Sequence, residues 1–238
     1  VVIPEGVEEI QKYAFYNCKA LKSVTIPSTI KFIREYAFYG NESLETFDFK
    51  NTQVIGRECF TNCEKLELDE NQLSKIYAIG ANAFENCVSL KSVDLTALRN
   101  AGKEIFKGCS GLEKVKLNKN TKLSYAMFVS SGLKEVDIYE TIEIPEFCFA
   151  KCEKLTKVVL HNSLIEIKLG AFSECTSLTN FEFKGTVGTL GEQSFYGTNK
   201  LETITLPNGE FNLGVYSFFE CSSLSEIVFQ ENTKINDI

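Results

Sequence analysis

The sequence contains a single histidine and no long hydrophobic run. A membrane-spanning helix needs about 18 or more consecutive apolar residues, and no such stretch is present, so we expect no direct insertion into a membrane. The first residues also lack the basic segment and the apolar segment that a secretion signal combines. Neither feature is therefore expected within these 238 residues.

Blocks of charge of one sign are missing as well. Lys and Arg number 25 and Asp and Glu number 32, which gives a formal net charge of −7 with both signs interspersed. A nucleic-acid-binding protein normally presents a basic patch, whereas an evenly mixed surface is typical of a solvated protein. We therefore expect no nucleic-acid partner.

The scarcity of histidine limits the chemistry that the chain can perform. Catalysis of the Ser-His-Asp or Cys-His type needs a nucleophile, a base and an orienting group in contact, and nothing marks such a set around His161. Two pairs of cysteines have the i, i+4 spacing of half a zinc site, but the histidine is distant from both. The pairs are Cys59 with Cys63 and Cys148 with Cys152. We therefore predict no catalytic residue, no metal site, no cofactor and no enzymatic activity.

What the sequence does contain is an internal repeat built on phenylalanine. One phenylalanine recurs at intervals of 21–24 residues along the whole chain. The chain opens on Val1-Val2-Ile3-Pro4, in the middle of such a unit, so we expect it to be a piece of a longer protein. The repeating residues are Phe15, Phe38, Phe60, Phe84, Phe106, Phe128, Phe149, Phe172, Phe195 and Phe218.

Other residue types keep a fixed distance from each phenylalanine. An aliphatic residue, usually isoleucine, stands five positions before it, and a mostly small residue stands directly before it. Leucine follows it by six positions in nine of the ten repeats, and paired apolar residues two apart come next. Cysteine follows by three positions in seven repeats, at Cys18, Cys63, Cys87, Cys109, Cys152, Cys175 and Cys221.

The spacing changes within each unit, and this change predicts the fold. The segment Leu-x-x-Val-x-Ile alternates at its end, which indicates a short strand with one buried face. The segment Ile-x-x-x-Ala-Phe-x-x-Cys places apolar residues three to five apart, which favours a helical or 3₁₀ turn. Units of this length lie within the leucine-rich-repeat range. We therefore predict an α/β solenoid over residues 1–238, a single right-handed leucine-rich-repeat superhelix of about ten repeats with a parallel sheet on its concave face and short helical or 3₁₀ turns on its convex face.

Two segments carry a more specific signature. Leu201–Pro207 reads Leu-Glu-Thr-Ile-Thr-Leu-Pro, and Ile33–Phe38 reads Ile-Arg-Glu-Tyr-Ala-Phe. They resemble the BspA-like, or treponemal-type, leucine-rich repeats, whose unit reads roughly Leu-x-x-Ile-x-Leu-Pro and then Leu-x-x-Ile-Gly-x-x-Ala-Phe-x-x-Cys. The resemblance covers essentially the whole chain. It implies an extracellular or cell-surface protein of a family implicated in adhesion to host or microbial partners.

The cysteine column invites a redox or metal interpretation, but its regular position favours a structural one. Leucine-rich repeats normally place a buried Asn or Cys there, and a buried thiol packs as a small apolar group with a weak donor for the loop backbone. Thiols on neighbouring rungs would come near disulfide range. Because their side chains would point in parallel, we do not expect them to form disulfides.

The pattern fails in two places. In Leu66–Asn71 the two positions that should be apolar hold Asp69 and Asn71, so either the strand slips in register through Leu66 and Leu68 or this turn bulges outward. The segment Ser130–Leu133 is one residue short and replaces the cysteine with serine. Drift in a tolerant array and a local binding site both remain open as explanations.

If the repeating columns are buried, function depends on the residues that point outward from the strands. We predict that the concave face binds a partner through Thr25, Asp48, Asp94, Lys114, Lys116, Glu135, Asp137, Lys157, Glu182 and Thr205. Four tyrosines of the first two repeats cluster on the turn side and either form a contact patch or pack between rungs. They are Tyr13, Tyr16, Tyr36 and Tyr39.

These observations predict a non-catalytic module, extracellular or at a cell surface, that binds a protein such as a host matrix or microbial surface protein. One alternative is a carbohydrate-active β-solenoid enzyme, because the 32 acidic residues could supply the carboxylate pair of glycoside hydrolysis. Another is a structural spacer that assembles through its open ends. The sequence leaves both alternatives open.

Overall fold

A computed structural model describes residues 1–139, 141–231 and 233–236. These residues form two compact units. Unit 1 comprises residues 1–116 and 120–122, and unit 2 comprises residues 117–119 and 123–238. Each unit is a parallel β-solenoid in which one sequence repeat makes one rung.

The strands that follow the leucine column form a front ladder in each unit. In unit 1 they are β2 (Ser23–Val24), β4 (Thr46–Phe47), β7 (Ser92–Asp94) and β9 (Lys114–Lys116). In unit 2 they are β10 (Glu135–Ile138), β12 (Lys157–Leu160), β14 (Asn180–Phe183), β16 (Thr203–Leu206) and β18 (Glu226–Phe229). Paired strands are parallel, and equivalent positions of successive repeats lie opposite each other. The predicted short strands are confirmed.

The isoleucine column, five residues before each phenylalanine, forms a second parallel ladder. In unit 1 this back ladder contains β1 (Glu9–Ile10), β3 (Phe32–Ile33), β5 (Val54–Ile55), β6 (Ala78–Ile79) and β8 (Asn100–Ala101). In unit 2 it contains β11 (Glu143–Ile144), β13 (Leu164–Ile167), β15 (Val187–Leu190), β17 (Gly209–Leu213) and β19 (Thr233–Ile235). The sequence did not predict this ladder, because a strand of two residues is too short to show alternation.

The segment around each phenylalanine is not helical, which corrects the prediction of helical or 3₁₀ turns. Over the described ranges, the one helical element is a 3₁₀ turn at Glu70–Leu73. In the first rung, Tyr13 and Asn17 flank Phe15 and both have positive φ, at 61° and 55°. Most other rungs repeat this pair of left-handed residues. Two successive tight turns therefore produce the three-to-five spacing that a helix would also produce.

Backbone hydrogen bonds between successive turns hold this part of the rung in place. The N–H of Phe15 donates to the carbonyl of Ala37 at 2.8 Å, and the N–H of Asn17 donates to the carbonyl of Tyr39 at 2.7 Å. A left-handed conformation costs a residue other than glycine about 1–2 kcal/mol. The stacking of turns offsets this cost, because each turn supplies hydrogen-bond partners to the next rung.

The repeating phenylalanines form one stacked column within each unit, as the periodicity predicts. Ring centroids of neighbours in unit 1 are between 5.0 Å apart, for Phe15 and Phe38, and 5.5 Å apart, for Phe84 and Phe106. In unit 2 the largest separation is 5.7 Å, between Phe172 and Phe195. Interplanar angles in the column are 16° or less. The phenylalanine column is the centre of each core.

The cysteine column links each rung to the one before it. The thiol of Cys87 donates a hydrogen bond to the carbonyl of Phe60 at 3.1 Å, and Cys109 donates to Phe84 in the same way at 3.0 Å. Equivalent bonds begin at Cys63, Cys152, Cys175 and Cys221. All nine cysteines are free thiols, and all but Cys18 are buried. Burial raises the pKa of the Cys63, Cys109 and Cys152 thiols to about 12, so these groups stay protonated donors.

Asn41 holds the cysteine position of the second rung and shows what this position requires. Its Nδ2 donates to the carbonyl of Phe15 at 2.8 Å, as a thiol does elsewhere. Its Oδ1 is buried and has no hydrogen-bond partner. A buried acceptor without a partner lowers stability.

We expect Asn41→Cys to raise the free energy of unfolding by about 1 kcal/mol, because the thiol keeps the donated bond and removes the unpaired acceptor. Urea unfolding followed by circular dichroism measures the change. Asn41→Val is the comparison: it removes the donor and should lower the free energy of unfolding by about 1–3 kcal/mol. A cysteine variant that is less stable than the valine variant would contradict this role for the column.

Candidate interaction surface

The front ladder presents most of the predicted partner-binding residues to solvent. Strands have a side-chain period of two, and β10 and β16 each alternate two exposed with two buried residues. Of the ten predicted residues, seven are exposed: Thr25, Asp48, Lys114, Lys116, Glu135, Asp137 and Thr205. Lys157 and Glu182 are half-buried.

Asp94 differs from the expectation of an outward-facing side chain. It is only 3% exposed, and its Oδ1 accepts hydrogen bonds from the backbone N–H and the hydroxyl of Thr96, at 2.9 and 2.6 Å. Lys116 approaches its other oxygen to 2.9 Å. Burial alone would raise the pKa of this carboxyl group, but the bonds from Thr96 and Lys116 outweigh burial and hold the pKa below its usual value. Asp94 is therefore an anchor for the following turn.

Most other charges of the predicted surface are paired with a neighbour. Asp48 pairs with Lys50. In unit 2, Lys157 lies 3.4 Å from Glu182, whose other oxygen is 2.7 Å from Lys184. These pairs neutralise much of the local charge, so they supply little attraction for a charged partner.

Lys114 and Glu135 are the exceptions. Both are exposed, and neither side chain forms a hydrogen bond or an ion pair with another described residue. Lys114 lies opposite Ser92 in unit 1, and Glu135 lies opposite Lys157 in unit 2. They are the predicted residues whose charge is most available to a partner.

The front ladder of unit 1 contains an open trough. Its volume is about 580 Å³, and Val24, Phe47 and Leu68 supply apolar lining. Polar lining comes from residues that include the predicted Thr25 and Asp48. The trough lies where the ladder is interrupted, because β2 and β4 form one sheet and β7 and β9 another.

A change of register produces this interruption. Glu67 pairs with Thr46, although it comes one position earlier in its own repeat, and Leu66 and Leu68 are both buried. The register slip is thus the correct one of the two alternatives for this segment. After the slip the chain turns into the 3₁₀ segment, where Gln72 Oε1 accepts a hydrogen bond from Phe49 N–H at 3.1 Å.

A second trough lies at an interruption of the front ladder in unit 2. The sheet of β10, β12 and β14 ends there, and β16 and β18 form a separate sheet. The trough has a volume of about 510 Å³, and its lining includes the predicted Glu182 and Thr205 together with Asn180 and Thr203. Sequence reasoning missed both troughs, because interruptions of a ladder depend on strand register and not on residue type.

The described residues offer little support for acid–base or metal chemistry. A general acid of a glycosidase needs a raised pKa, but the pKa of Asp48 in the first trough is lowered, chiefly by its hydrogen bond with Lys50. The pKa of Glu182 in the second trough is lowered by its hydrogen bonds with Lys184 and Lys157. Within the described ranges, no three His, Cys, Asp or Glu side chains are grouped as metal ligands would be.

His161 lies at the exit of β12 and is exposed, as predicted. Its ring stacks on Tyr139 with 4.3 Å between centroids, and its Nε2 is 2.7 Å from Asp137 Oδ1. The partner of the imidazole is thus a carboxylate, and no nucleophile completes a catalytic set among its hydrogen-bond partners.

The four tyrosines of the first two rungs pack between rungs and also remain accessible. Tyr13 stacks on Tyr36 and Tyr16 stacks on Tyr39, each pair with 5.0 Å between ring centroids. Tyr13 and Tyr16 meet edge to face at 5.5 Å. Tyr13 is 50% exposed and Tyr16 is 42% exposed. Both alternatives for this cluster, rung packing and a surface patch, are therefore combined in one arrangement.

Comparison with known sequences now adds to the geometry. The sequence profile of the BspA type leucine-rich repeat region, which comprises six copies, matches residues 1–95, 50–144 and 142–238. The chain belongs to this family. No curated protein matches the chain at a significant level.

Solved structures of other bacterial proteins share the fold of this BspA-type chain. One is a leucine-rich cell surface protein of Faecalibacterium prausnitzii A2-165, with 20% identity, 96% of this chain and 87% of that chain covered, and a TM-score of 0.62. Another is a leucine-rich repeat protein of Bacteroides ovatus ATCC 8483, with 23% identity, coverages of 99% and 74%, and a TM-score of 0.55. The pneumococcal vaccine antigen PcpA is similar at 21% identity, coverages of 98% and 78%, and a TM-score of 0.53.

The described part of this BspA-type chain contains no helix that could cross a membrane.

Proposed function

We propose that this BspA-type chain is a non-catalytic module, extracellular or at a cell surface, that binds a protein partner through its front ladder. The observation that carries the proposal is the coincidence of predicted surface residues with the two troughs: Thr25 and Asp48 line the first, and Glu182 and Thr205 line the second. A protein partner can follow such an open, polar surface, whereas a small-molecule site is usually an enclosed and mostly apolar pocket.

Two further points support this function. The family is one of repeat scaffolds, and stacked repeats create extended binding surfaces. A solved relative of the same fold is a cell surface protein, which agrees with the extracellular or surface location implied by the sequence resemblance. We also propose that the front ladder is the concave face of a right-handed coil in each unit.

The first step of the test is a surface plasmon resonance screen against host matrix proteins and bacterial surface proteins. We then expect Lys114→Glu to change the Kd for the partner found by about threefold or more, because the reversed charge acts on association and specificity. The melting temperature should stay the same, since Lys114 is exposed and forms no ion pair with a described residue. Lys116 is unsuitable for this test because it pairs with the buried Asp94.

Lys65→Glu is the matched control, since it reverses an exposed lysine of unit 1 that lies outside the front ladder. For unit 2, Glu135→Lys is compared with Glu153→Lys, which is also exposed and outside the ladder. If binding survives both front-ladder reversals unchanged, the partner does not contact this face.

A further inference from the structure

The tyrosine quartet, defined as Tyr13, Tyr16, Tyr36 and Tyr39, lies on the turn side of unit 1, away from the front ladder. Its members occupy two positions of the rung, two residues before and one residue after the repeating phenylalanine. The two stacks, Tyr13 on Tyr36 and Tyr16 on Tyr39, stand side by side through the edge-to-face contact of Tyr13 with Tyr16.

Folding of the rung does not require aromatic residues at these positions. The next rungs of unit 1 place polar residues there: Glu58 with Thr61, Asn82 with Glu85, and Glu104 with Lys107. The position of Tyr13 and Tyr36 also has a positive φ, of 61° and 58°, which a bulky residue adopts less readily than Gly or Asn. The four tyrosines are therefore better explained by what they present than by what they stabilise.

The quartet presents ring edges and phenol hydroxyls more than open ring faces. Stacking covers one face of each ring, and the ammonium of Lys12 lies 5.1 and 5.7 Å from the ring centroids of Tyr13 and Tyr36. The hydroxyl of Tyr36 donates to Glu58 at 3.2 Å. The hydroxyls of the other three tyrosines form no hydrogen bond with a described residue, so they remain donors for a ligand.

This chemistry fits one kind of partner best. A polyproline II segment has no internal hydrogen bonds, so its carbonyl groups are free acceptors, and its proline rings fit between aromatic side chains. A sugar ring would instead need an open aromatic face, which stacking and Lys12 reduce. The rings are also preorganised by stacking, so little side-chain freedom is lost on binding. We propose that the tyrosine quartet is a docking site for an extended proline-rich segment of a partner protein.

This proposal goes beyond the binding role of the front ladder, because the two surfaces use different residues. The probe is a fluorescein-labelled oligoproline peptide, followed by fluorescence anisotropy, with a Gly-Ser peptide of equal length as the reference. We expect the oligoproline to bind and the Gly-Ser peptide not to bind. The double variant Tyr16→Phe/Tyr39→Phe keeps both rings and removes two hydroxyls, and it should weaken binding about tenfold.

Two further variants separate binding from folding. Tyr77→Phe removes the hydroxyl of a tyrosine that is similarly exposed but outside the quartet, and its affinity should equal that of the unmodified chain. Tyr13→Asn/Tyr16→Glu installs the residues that the fourth rung carries at these positions. It should abolish binding and keep the circular dichroism spectrum of the folded protein.

Three results would overturn the proposal. The first is an oligoproline that binds no better than the Gly-Ser peptide, and the second is binding that persists in Tyr13→Asn/Tyr16→Glu. The third is a labelled cello- or chito-oligosaccharide that binds the quartet while oligoproline does not, which would assign the site to a glycan. None of these results affects the front-ladder proposal, whose test uses Lys114 and Glu135.

Discussion

Phe84→Ala should lower the free energy of unfolding by about 3–5 kcal/mol, the largest loss expected for a single substitution in this chain. Phe84 is fully buried and stacks between Phe60 and Phe106, at 5.4 and 5.5 Å between centroids. Alanine removes the ring from the middle of a column, and neighbouring rungs cannot close the gap because each is fixed by hydrogen bonds in both ladders. Urea unfolding followed by circular dichroism measures the loss.

Phe219→Ala is the matched control for this measurement. Phe219 also stacks on an aromatic residue, Tyr196, at 5.9 Å between centroids, but it is 51% exposed. Its replacement should cost about 1 kcal/mol or less, since most of the loss at Phe84 comes from burial and the cavity. Equal losses at Phe84 and Phe219 would show that the phenylalanine column is not the centre of the core.

Gly80→Ala should lower the free energy of unfolding by about 1–3 kcal/mol through overpacking. A Cβ at Gly80 would lie 2.4 Å from the backbone N of Arg57 and 2.6 Å from the carbonyl carbon of Gly56. The neighbouring rung would have to move, because backbone atoms cannot rotate away as a side chain does. Thermal unfolding followed by circular dichroism measures the effect.

Gln11→Ala is the control, because Gln11 holds the same repeat position in the first rung and already carries a Cβ. Its side chain is exposed, and its loss should change stability by about 0.5 kcal/mol or less. If Gly80→Ala proves as stable as the unmodified chain, the rungs are not packed as closely at this position as the structure shows.

The repeat and its buried columns were predictable from the sequence because their signal is summed over ten units. A single phenylalanine says little, but ten at one spacing require a stack, and the stack fixes the neighbours of Phe84 and Cys87. The back ladder was not predictable in the same way, because a strand such as β5 buries one residue of its two and shows no alternation. The left-handed turn positions were hidden too, since Tyr13 and Glu58 occupy them and not glycine.

The candidate surface was predictable in outline and not in detail. Period-two alternation is enough to mark Lys114 and Glu135 as outward-facing. It is not enough for Asp94, whose burial depends on the turn at Thr96 that follows its strand. Ion pairs such as Lys157 with Glu182 depend on which residues face each other across rungs. Register therefore determines which charges a partner meets, and register is a property of the assembled stack.

The thiol column has a consequence for where such a protein can work. Eight of the nine sulfur atoms are sealed inside the coil, and their high pKa values keep them from ionising to the form that attacks disulfides or reacts with oxidants. A cysteine-rich chain built in this way can remain reduced in aerated surroundings without scrambling. Its cysteine content is consequently no guide to the redox state of its compartment, and only Cys18 would respond to a thiol-specific reagent while the coil stays folded.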